Sequence, residues 1–399
     1  MNKELPCGES SMRIAVLGAG LMGPAIAMDC IESDEVEEVL LIDIDQAGLD
    51  KAVGSLGNPL KLKTVVQDVT DRHGLVELLK GFDVACIALS RWLNVEAMWS
   101  GIEAGVDVVD LSGPGQKDWE EINEAAKKAG VTCILGCGVE PGLTDMLAAY
   151  GMDMLDSVEA VNVWCGGIPQ DPKPPLDYKI VFGGQYLPLQ LGMVRIIEGG
   201  KVREVKRYTL GEPVQFEGVR GPLECYYDRF PETLYELEKF KGVRQCASKT
   251  VRYAGYCEKV NFLDECGLLS MTSVEFKGHE VVPFEVFSKI VYPKVRLEEG
   301  EKDITVLRVV VEGIKDGCET CCTFDMVDFY DEDRGITAMA RTTGYTAAIV
   351  ARILGRGDIS EKGLVPPVKA VRGKLFRRLL QGLAERGIQV TETVRTNKS

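Results

Sequence analysis

The chain has 399 residues, 45% of them hydrophobic, and a formal net charge of −15. That length allows two domains with sizeable cores, and the acidic balance argues against nucleic acid or an anionic membrane surface as partner. No apolar run approaches the roughly 20 residues of a membrane helix, and residues 1–11 lack the apolar core of a signal peptide, so a cytoplasmic protein is expected.

Residues 13–17 (Arg-Ile-Ala-Val-Leu) form a short apolar run that ends in Gly18-Ala19-Gly20-Leu21-Met22-Gly23. A helix-like segment follows to Ser33, and a second apolar run over residues 38–42 stops at Asp43. Strand, glycine turn, helix, strand and acid in this order form the dinucleotide-binding pattern G-x-G-x-x-G. Gly18 permits the tight turn, Gly20 lets the backbone approach a pyrophosphate, and Gly23 allows close packing of helix on strand. The helix start offers unpaired N–H groups and the positive end of its dipole to the phosphates. Asp43 is expected to accept hydrogen bonds from the adenosine ribose. With Asp43 and Asp45 adjacent and no Arg nearby, NAD is expected rather than NADP. The candidate cofactor contacts are Gly18, Gly20, Leu21, Met22, Gly23, Asp43, Ile44, Asp68, Ser90 and Gly138.

Further strands are predicted over residues 63–66, 83–88, 106–109 and 131–135, with helices over 70–80, 94–104 and 116–129 between them. Apolar runs of this kind read as parallel strands buried on both faces. Residues 12–140 are therefore predicted to form a Rossmann-type, doubly wound α/β domain. The pattern changes after Asp156. A strand is predicted over residues 158–164, then a loop at Gly166-Gly167-Ile168-Pro169. Longer alternating strands follow over 201–208 and over 304–313, the latter facing 321–330 across a turn at Lys315-Asp316-Gly317. Residues 141–334 read as a second, α+β domain on a mixed or antiparallel sheet. Residues 335–365 read as a helix returning to the first domain. Residues 366–399 form a C-terminal extension with an amphipathic helix over 368–386, whose basic residues read as a solvated face.

The 13 cysteines are scattered. Cys30, Cys86, Cys133 and Cys165 sit in apolar segments, as free thiols do, and Cys318, Cys321 and Cys322 lack the second pair or nearby His that would complete a metal site. No metal is expected, and the thiols read as reduced.

Five motifs then occur in order: residues 136–145 (Gly-Cys-Gly-Val-Glu-Pro-Gly-Leu-Thr-Asp), 166–169 (Gly-Gly-Ile-Pro), 174–179 (Pro-Pro-Leu-Asp-Tyr-Lys), 251–259 (Val-Arg-Tyr-Ala-Gly-Tyr-Cys-Glu-Lys) and 340–345 (Ala-Arg-Thr-Thr-Gly-Tyr). With the glycine turn, they resemble the saccharopine dehydrogenase-like superfamily, and within it most resemble lysine 6-dehydrogenases. The resemblance implies a nucleotide domain plus a catalytic domain, a homodimer or homotetramer formed through the second sheet, and NAD-dependent oxidative deamination of a side-chain amine. Where saccharopine reductases carry a Lys and an Asp, this chain aligns Trp99 and Asn123, which points away from saccharopine. Lysine 6-dehydrogenases read Arg-Tyr-Pro-Gly-His where this chain has Arg252-Tyr253-Ala254-Gly255-Tyr256, and they have Ala where it has Glu140.

Hydride removal from an amine carbon needs a neutral amine, so the site needs a proton acceptor and then a group that activates water. His73 and His279 fall outside every motif and are expected at the surface, which leaves a carboxylate, Lys or Tyr tuned by burial. Asp110 is either a site acid or the cap of its own turn. Glu140 either attracts a substrate ammonium or favours a helix dipole. Tyr178 and Lys179 are candidates for the base or for holding a carboxylate. Arg252 and Arg341, with Tyr256, are candidates for clamping an amino-acid carboxylate, ordinary ion pairing being the alternative. Glu258 reads as a helix cap. The expected partner is a small amine or amino acid. Two other readings are a reductase that joins an amine to a carbonyl, and a non-catalytic NAD-binding regulator.

Overall fold

The computed structural model describes residues 11–113, 116–183, 187–209 and 211–397. The chain divides into two compact units. The first comprises residues up to Leu143 with Ala340–Leu383, and the second comprises Thr144–Met339 with the residues from Ala384 on.

The first unit alternates strands and helices: β1 (Met12–Leu17), α1 (Gly23–Ile31), β2 (Val36–Asp43), α2 (Gln46–Ser55), β3 (Leu62–Val66), α3 (Arg72–Leu79), β4 (Val84–Ile87), α4 (Asn94–Ala104), β5 (Asp107–Asp110), α5 (Trp119–Ala129) and β6 (Thr132–Ile134). The strands pair in parallel in the order β6-β5-β4-β1-β2-β3. The order reverses between β1 and β4, which is where such sheets bind ligands at their carboxyl ends. Val84, Ala85, Cys86 and Ile87 of β4 are all buried, as expected of a strand covered on both faces. Side-chain oxygens close the helix starts: Asp45 accepts from the Ala47 N–H of α2, and Asp71 from the Gly74 N–H of α3.

The helix α6 (Leu143–Asp153) leads into the second unit. There β7 (Ser157–Pro169), β8 (Met193–Glu198), β9 (Lys201–Lys206), β10 (Glu212–Val214), β11 (Leu223–Tyr227) and β12 (Gln245–Tyr253) precede α7 (Tyr256–Glu265). A small hairpin, β13 (Val274–Phe276) with β14 (His279–Val281), then α8 (Pro283–Val295), β15 (Asp303–Lys315) and β16 (Cys318–Phe329) complete the sequence. β7 pairs in parallel with β12 and antiparallel with β15, so the sheet is mixed. β15 and β16 are joined by Asp316-Gly317, both with positive φ (51° and 75°), the conformation that two-residue hairpins favour. α6 lies on this sheet, where a Cβ at Gly151 would touch Val311 and Phe324 at 2.9 and 3.0 Å.

After α9 (Ala338–Gly355), β17 (Gly363–Val365) adds to the first sheet beside β6. Gly344 lets α9 approach α1, since a Cβ there would lie 2.8 Å from that of Ala25. The buried Arg352–Asp29 ion pair, at 2.7 Å, ties the same two helices. Removing one partner from such a pair costs about 3–5 kcal/mol.

Three expectations are corrected. Residues 166–169 are no loop: β7 runs through them, because the motif's glycines are packing positions. A Cβ at Gly166 would meet the Val251 carbonyl oxygen at 2.5 Å, and one at Gly167 would meet Met339 and Val181, each at 2.5 Å. The predicted strand over 201–208 stops at Lys206 and tightens into a 3₁₀ turn. The predicted helix over 368–386 is two helices, α10 (Pro367–Ala370) and α11 (Lys374–Glu385), parted at Gly373, where φ is +55°. The chain then forms β18 (Thr391–Asn397), an edge strand antiparallel to β16 that the sequence reading lacked.

Candidate functional site

Two regions carry functional geometry, one in each unit. In the first, the glycine turn sits at the carboxyl end of β1, beside β4. Gly18 has φ +105°, and a Cβ there would lie 2.5 Å from the Ala88 carbonyl oxygen. A Cβ at Gly23 would overlap the Gly18 carbonyl oxygen. Gly20 differs from both: nothing lies within 4 Å of its Cβ position, so the backbone there is open to a ligand. Asp43 ends β2, where its Oδ2 accepts from the Ala19 N–H at 2.6 Å and its Oδ1 from the Asp45 N–H at 2.9 Å. The carboxylate thus holds the glycine turn, and its remaining lone pairs are available to a ribose. Leu21 and Ile44 are exposed at this edge, and Met22 and Ser90 are partly exposed. Asp68 is exposed, and its bonds from the Thr70 hydroxyl and N–H hold its carboxyl below the usual range.

Two candidates of this unit have structural roles instead. Asp110 is buried, and its oxygens accept from Asn94 Nδ2 at 2.9 Å, the Gly113 N–H at 2.6 Å and the Ser112 N–H at 3.2 Å. Burial pushes its pKa up against these bonds. It closes its own turn. Gly138 is buried and donates its N–H to the Pro141 carbonyl at 2.9 Å, which makes it a packing residue of the turn. Glu140 is half-buried in the same turn. Arg341 is buried on α9, its guanidinium 6.0 Å from the Tyr345 ring centre.

In the second unit the structure brings together Tyr178, Arg252 and Tyr256, and adds Tyr208 and Tyr226, which the sequence reading missed. Tyr226 stacks on Tyr256 with ring centres 6.0 Å apart, and Tyr178 meets Tyr256 edge-on at 5.9 Å. The Arg252 guanidinium lies 4.5 Å from the Tyr178 ring centre and 5.7 Å from that of Tyr256. Among the described residues Arg252 pairs with no carboxylate. Its Nη1 donates to the Val251 carbonyl at 2.8 Å, and its buried Nε lacks a partner. The buried Tyr178 hydroxyl likewise lacks one. Burial pushes the Tyr178 pKa up, so the phenol stays protonated and is a donor rather than a base.

Glu224, also missed, organises this cluster. It stands opposite Arg252 in the β11–β12 ladder, yet its oxygens accept from the Gly255 and Cys257 N–H groups at 2.9 and 2.7 Å. It therefore occupies the N-terminus of α7, the place expected of Glu258, which is exposed in the first turn. The only sequence signal was alternation in a five-residue strand. Lys179 is corrected as well: its Nζ is buried against Glu301 at 2.7 Å and the Arg296 carbonyl at 3.1 Å, an ion pair that removes it as a free base. His73 and His279 are exposed, as expected. Among the described residues no group of His, Cys, Asp or Glu is placed to hold a metal, and no helix is long and apolar enough to cross a membrane.

Trp99 and Asn123 both lie in the first unit. Trp99 packs against the core of the first unit under the Arg72 guanidinium, and Asn123 Oδ1 accepts the Leu364 N–H at 2.9 Å. Both make structural contacts within the first unit.

An open glycine turn at the switch point of a 3-2-1-4-5-6 parallel sheet, with an acid at the end of β2, defines an NAD(P)-binding oxidoreductase of the Rossmann type. Residues 14–134 match the saccharopine dehydrogenase NADP binding domain, and residues 138–388 match the saccharopine dehydrogenase C-terminal domain. The chain belongs to the saccharopine dehydrogenase family. It is 22% identical to a carboxyaminopropylagmatine dehydrogenase of Synechocystis sp., covering 88% of this chain and 91% of that one. It is 23% identical to the NADP(+), L-glutamate-forming saccharopine dehydrogenase of Schizosaccharomyces pombe (87% and 92% covered), and 25% identical to a carboxynorspermidine synthase of Vibrio alginolyticus (88% and 91%). The fold matches apo saccharopine dehydrogenase of Saccharomyces cerevisiae with a TM-score of 0.78 at 19% identity, covering 96% of this chain and all of that one.

Proposed function

We propose that the chain is an NAD-dependent oxidoreductase acting at a carbon–nitrogen bond of an amino acid, and that it oxidatively deaminates the side-chain amine of L-lysine. The observation that carries the substrate reading is Arg252: a buried guanidinium, walled by tyrosines and without a carboxylate partner, suits an amino-acid carboxylate. The Tyr178 hydroxyl is a second donor to it. Bound NAD supplies the hydride acceptor. The amine carbon gives up hydride and the amine nitrogen a proton, which leaves an imine. Water then adds, the C–N bond breaks, and the products are an aldehyde and ammonia. Asp110 and Lys179 are committed to structural bonds, so neither is assigned the proton-accepting role.

The preference for NAD rests on Asp43 and Asp45. A 2′-phosphate at the ribose would meet both carboxylates, and residues 44–47 (Ile-Asp-Gln-Ala) offer it no cation.

The second reading is a reductase that joins an amine to a carbonyl. It is favoured by the names of the carboxyaminopropylagmatine and carboxynorspermidine enzymes among the relatives. Mixing lysine with NAD and following NADH absorbance tests the first reading. Product analysis with NADH, an amine and an aldehyde tests the second. Silence with lysine, ornithine and a polyamine panel overturns lysine deamination, and tight NAD binding without turnover in either direction leaves the chain a regulator.

A further inference from the structure

Two carboxylates lie beside Arg252, and the fold turns both elsewhere. Glu224 stands opposite it in the antiparallel β11–β12 ladder, so the two side chains share one face of the sheet. A buried Glu and Arg directly opposed in this way would ordinarily form an ion pair. Glu224 instead accepts from the Gly255 and Cys257 N–H groups at 2.9 and 2.7 Å. Gly255 is the N-cap of α7 and has no side chain to close that end, so the helix start offers unpaired N–H groups and the positive end of its dipole. Asp228 continues the ladder, its N–H donating to the Ser248 carbonyl at 3.0 Å, and is near enough for its charge to bear on Arg252. It is diverted too, pairing with Arg207 and accepting from the Thr250 hydroxyl at 2.5 Å.

The two N–H groups that Glu224 holds flank Tyr256, the first residue of α7. Tyr256 touches every other part of the cluster. Its ring centre lies 5.9 Å from that of Tyr178, 6.4 Å from that of Tyr208, 6.0 Å from that of Tyr226 and 5.7 Å from the Arg252 guanidinium. One buried carboxylate thus has two effects. It anchors the backbone on both sides of Tyr256, and it commits its charge to a helix start rather than to the guanidinium opposite it.

We propose that Glu224 is a positioning residue: by capping α7 it sets Tyr256 against Arg252 and leaves the guanidinium uncompensated for a substrate carboxylate. That role rests on Arg252 meeting the substrate, as proposed above. Glu224→Asp and Glu224→Gln separate it from a merely structural cap. In Glu224→Asp the carboxylate is one methylene shorter, so it draws back from α7 while staying opposite Arg252, free to neutralise it. Glu224→Gln keeps the length and one acceptor oxygen but has no charge to set against the guanidinium. Calorimetric titration of the NADH-saturated chain with L-lysine and with pentane-1,5-diamine, which is lysine without its carboxylate, reads the outcome. Glu224→Asp should lower the preference for lysine over the diamine by about 10-fold or more, the worth of one charge-assisted bond, and Glu224→Gln should keep the parent preference. Equal loss of both ligands in Glu224→Asp, or a larger loss of preference in Glu224→Gln, would reduce Glu224 to a structural cap and overturn the proposal. The same preference in the parent and in Arg252→Lys would overturn the Arg252 reading instead. A crystal structure of the Glu224→Asp chain tests the positioning by itself: the shortened carboxylate should pair with Arg252, and one that stays on the α7 N–H groups overturns the proposal whatever ligand binds.

Discussion

Gly20→Val separates cofactor binding from folding in a way that its neighbours cannot. The Cβ position of Gly20 has no atom within 4 Å and the residue is exposed, so the valine side chain enters open space. A substitution of that kind should change stability by no more than about 0.5 kcal/mol. The same open space is where a pyrophosphate must approach the backbone. If the valine displaces two N–H bonds to phosphate, each worth about 1.5–3 kcal/mol, binding weakens by about 3 kcal/mol or more. At roughly 1.4 kcal/mol per decade, that is a loss of at least ~100-fold in NAD affinity. Gly23→Ala should behave oppositely, because its methyl overlaps the Gly18 carbonyl oxygen and forces β1 and α1 apart. Calorimetric titration with NAD and a thermal melt on both variants decide the matter. Unchanged affinity in Gly20→Val would refute the cofactor assignment, and a large loss of melting temperature there with none in Gly23→Ala would refute the steric argument.

Asp43→Ser should relax the preference for NAD, since it removes a carboxylate that repels a 2′-phosphate. Titration with NAD and NADP should show the affinity ratio moving toward unity, and a constant ratio counts against the ribose role. Arg252→Lys keeps the charge but loses the fork, so KM should rise about 10-fold or more for an amino acid and much less for the corresponding plain amine. Equal changes for both substrates would place Arg252 in the core alone. Stability should also fall in acid through Glu301. Burial pushes that carboxyl up, but bonds from Lys179, the Glu298 N–H and Lys173 outweigh it and hold its pKa at about 2. A lowered folded pKa means that the contribution is full above the ordinary value of 4.5 and is lost as pH falls from there toward 2. Lys179→Met should therefore flatten the pH dependence of the melting temperature across that window, and an unchanged slope would show that the pair does not set it.

The same residue type was legible in one unit and misleading in the other. Gly18, Gly20 and Gly23 announced a ligand because their spacing is tied to a strand, a helix and an acid within one stretch of chain. Each constraint on them is local. Gly166 and Gly167 looked like loop residues for the same compositional reason, yet they lie inside β7. What demands them is the Val251 carbonyl, 85 residues beyond Gly166, and Met339, farther still. Candidate catalytic groups fail for an equivalent cause. Lys179 was named for standing beside Tyr178, but the partner that removes it from chemistry is Glu301, supplied by a distant segment. Glu224 was invisible because its role exists only once β11 lies beside β12 and brings it to the start of α7. Short-range pattern therefore identifies the dinucleotide turn, whose ligand contacts come from consecutive backbone groups. It cannot rank buried titratable side chains, since whether a carboxylate or an amine remains available depends on which oppositely charged group the tertiary fold delivers to it. Arg252 illustrates the converse: the fold surrounds it with tyrosines and, among the described residues, no carboxylate forms an ion pair with it, so its buried Nε keeps the unmet bonding capacity that makes it the candidate to meet a substrate.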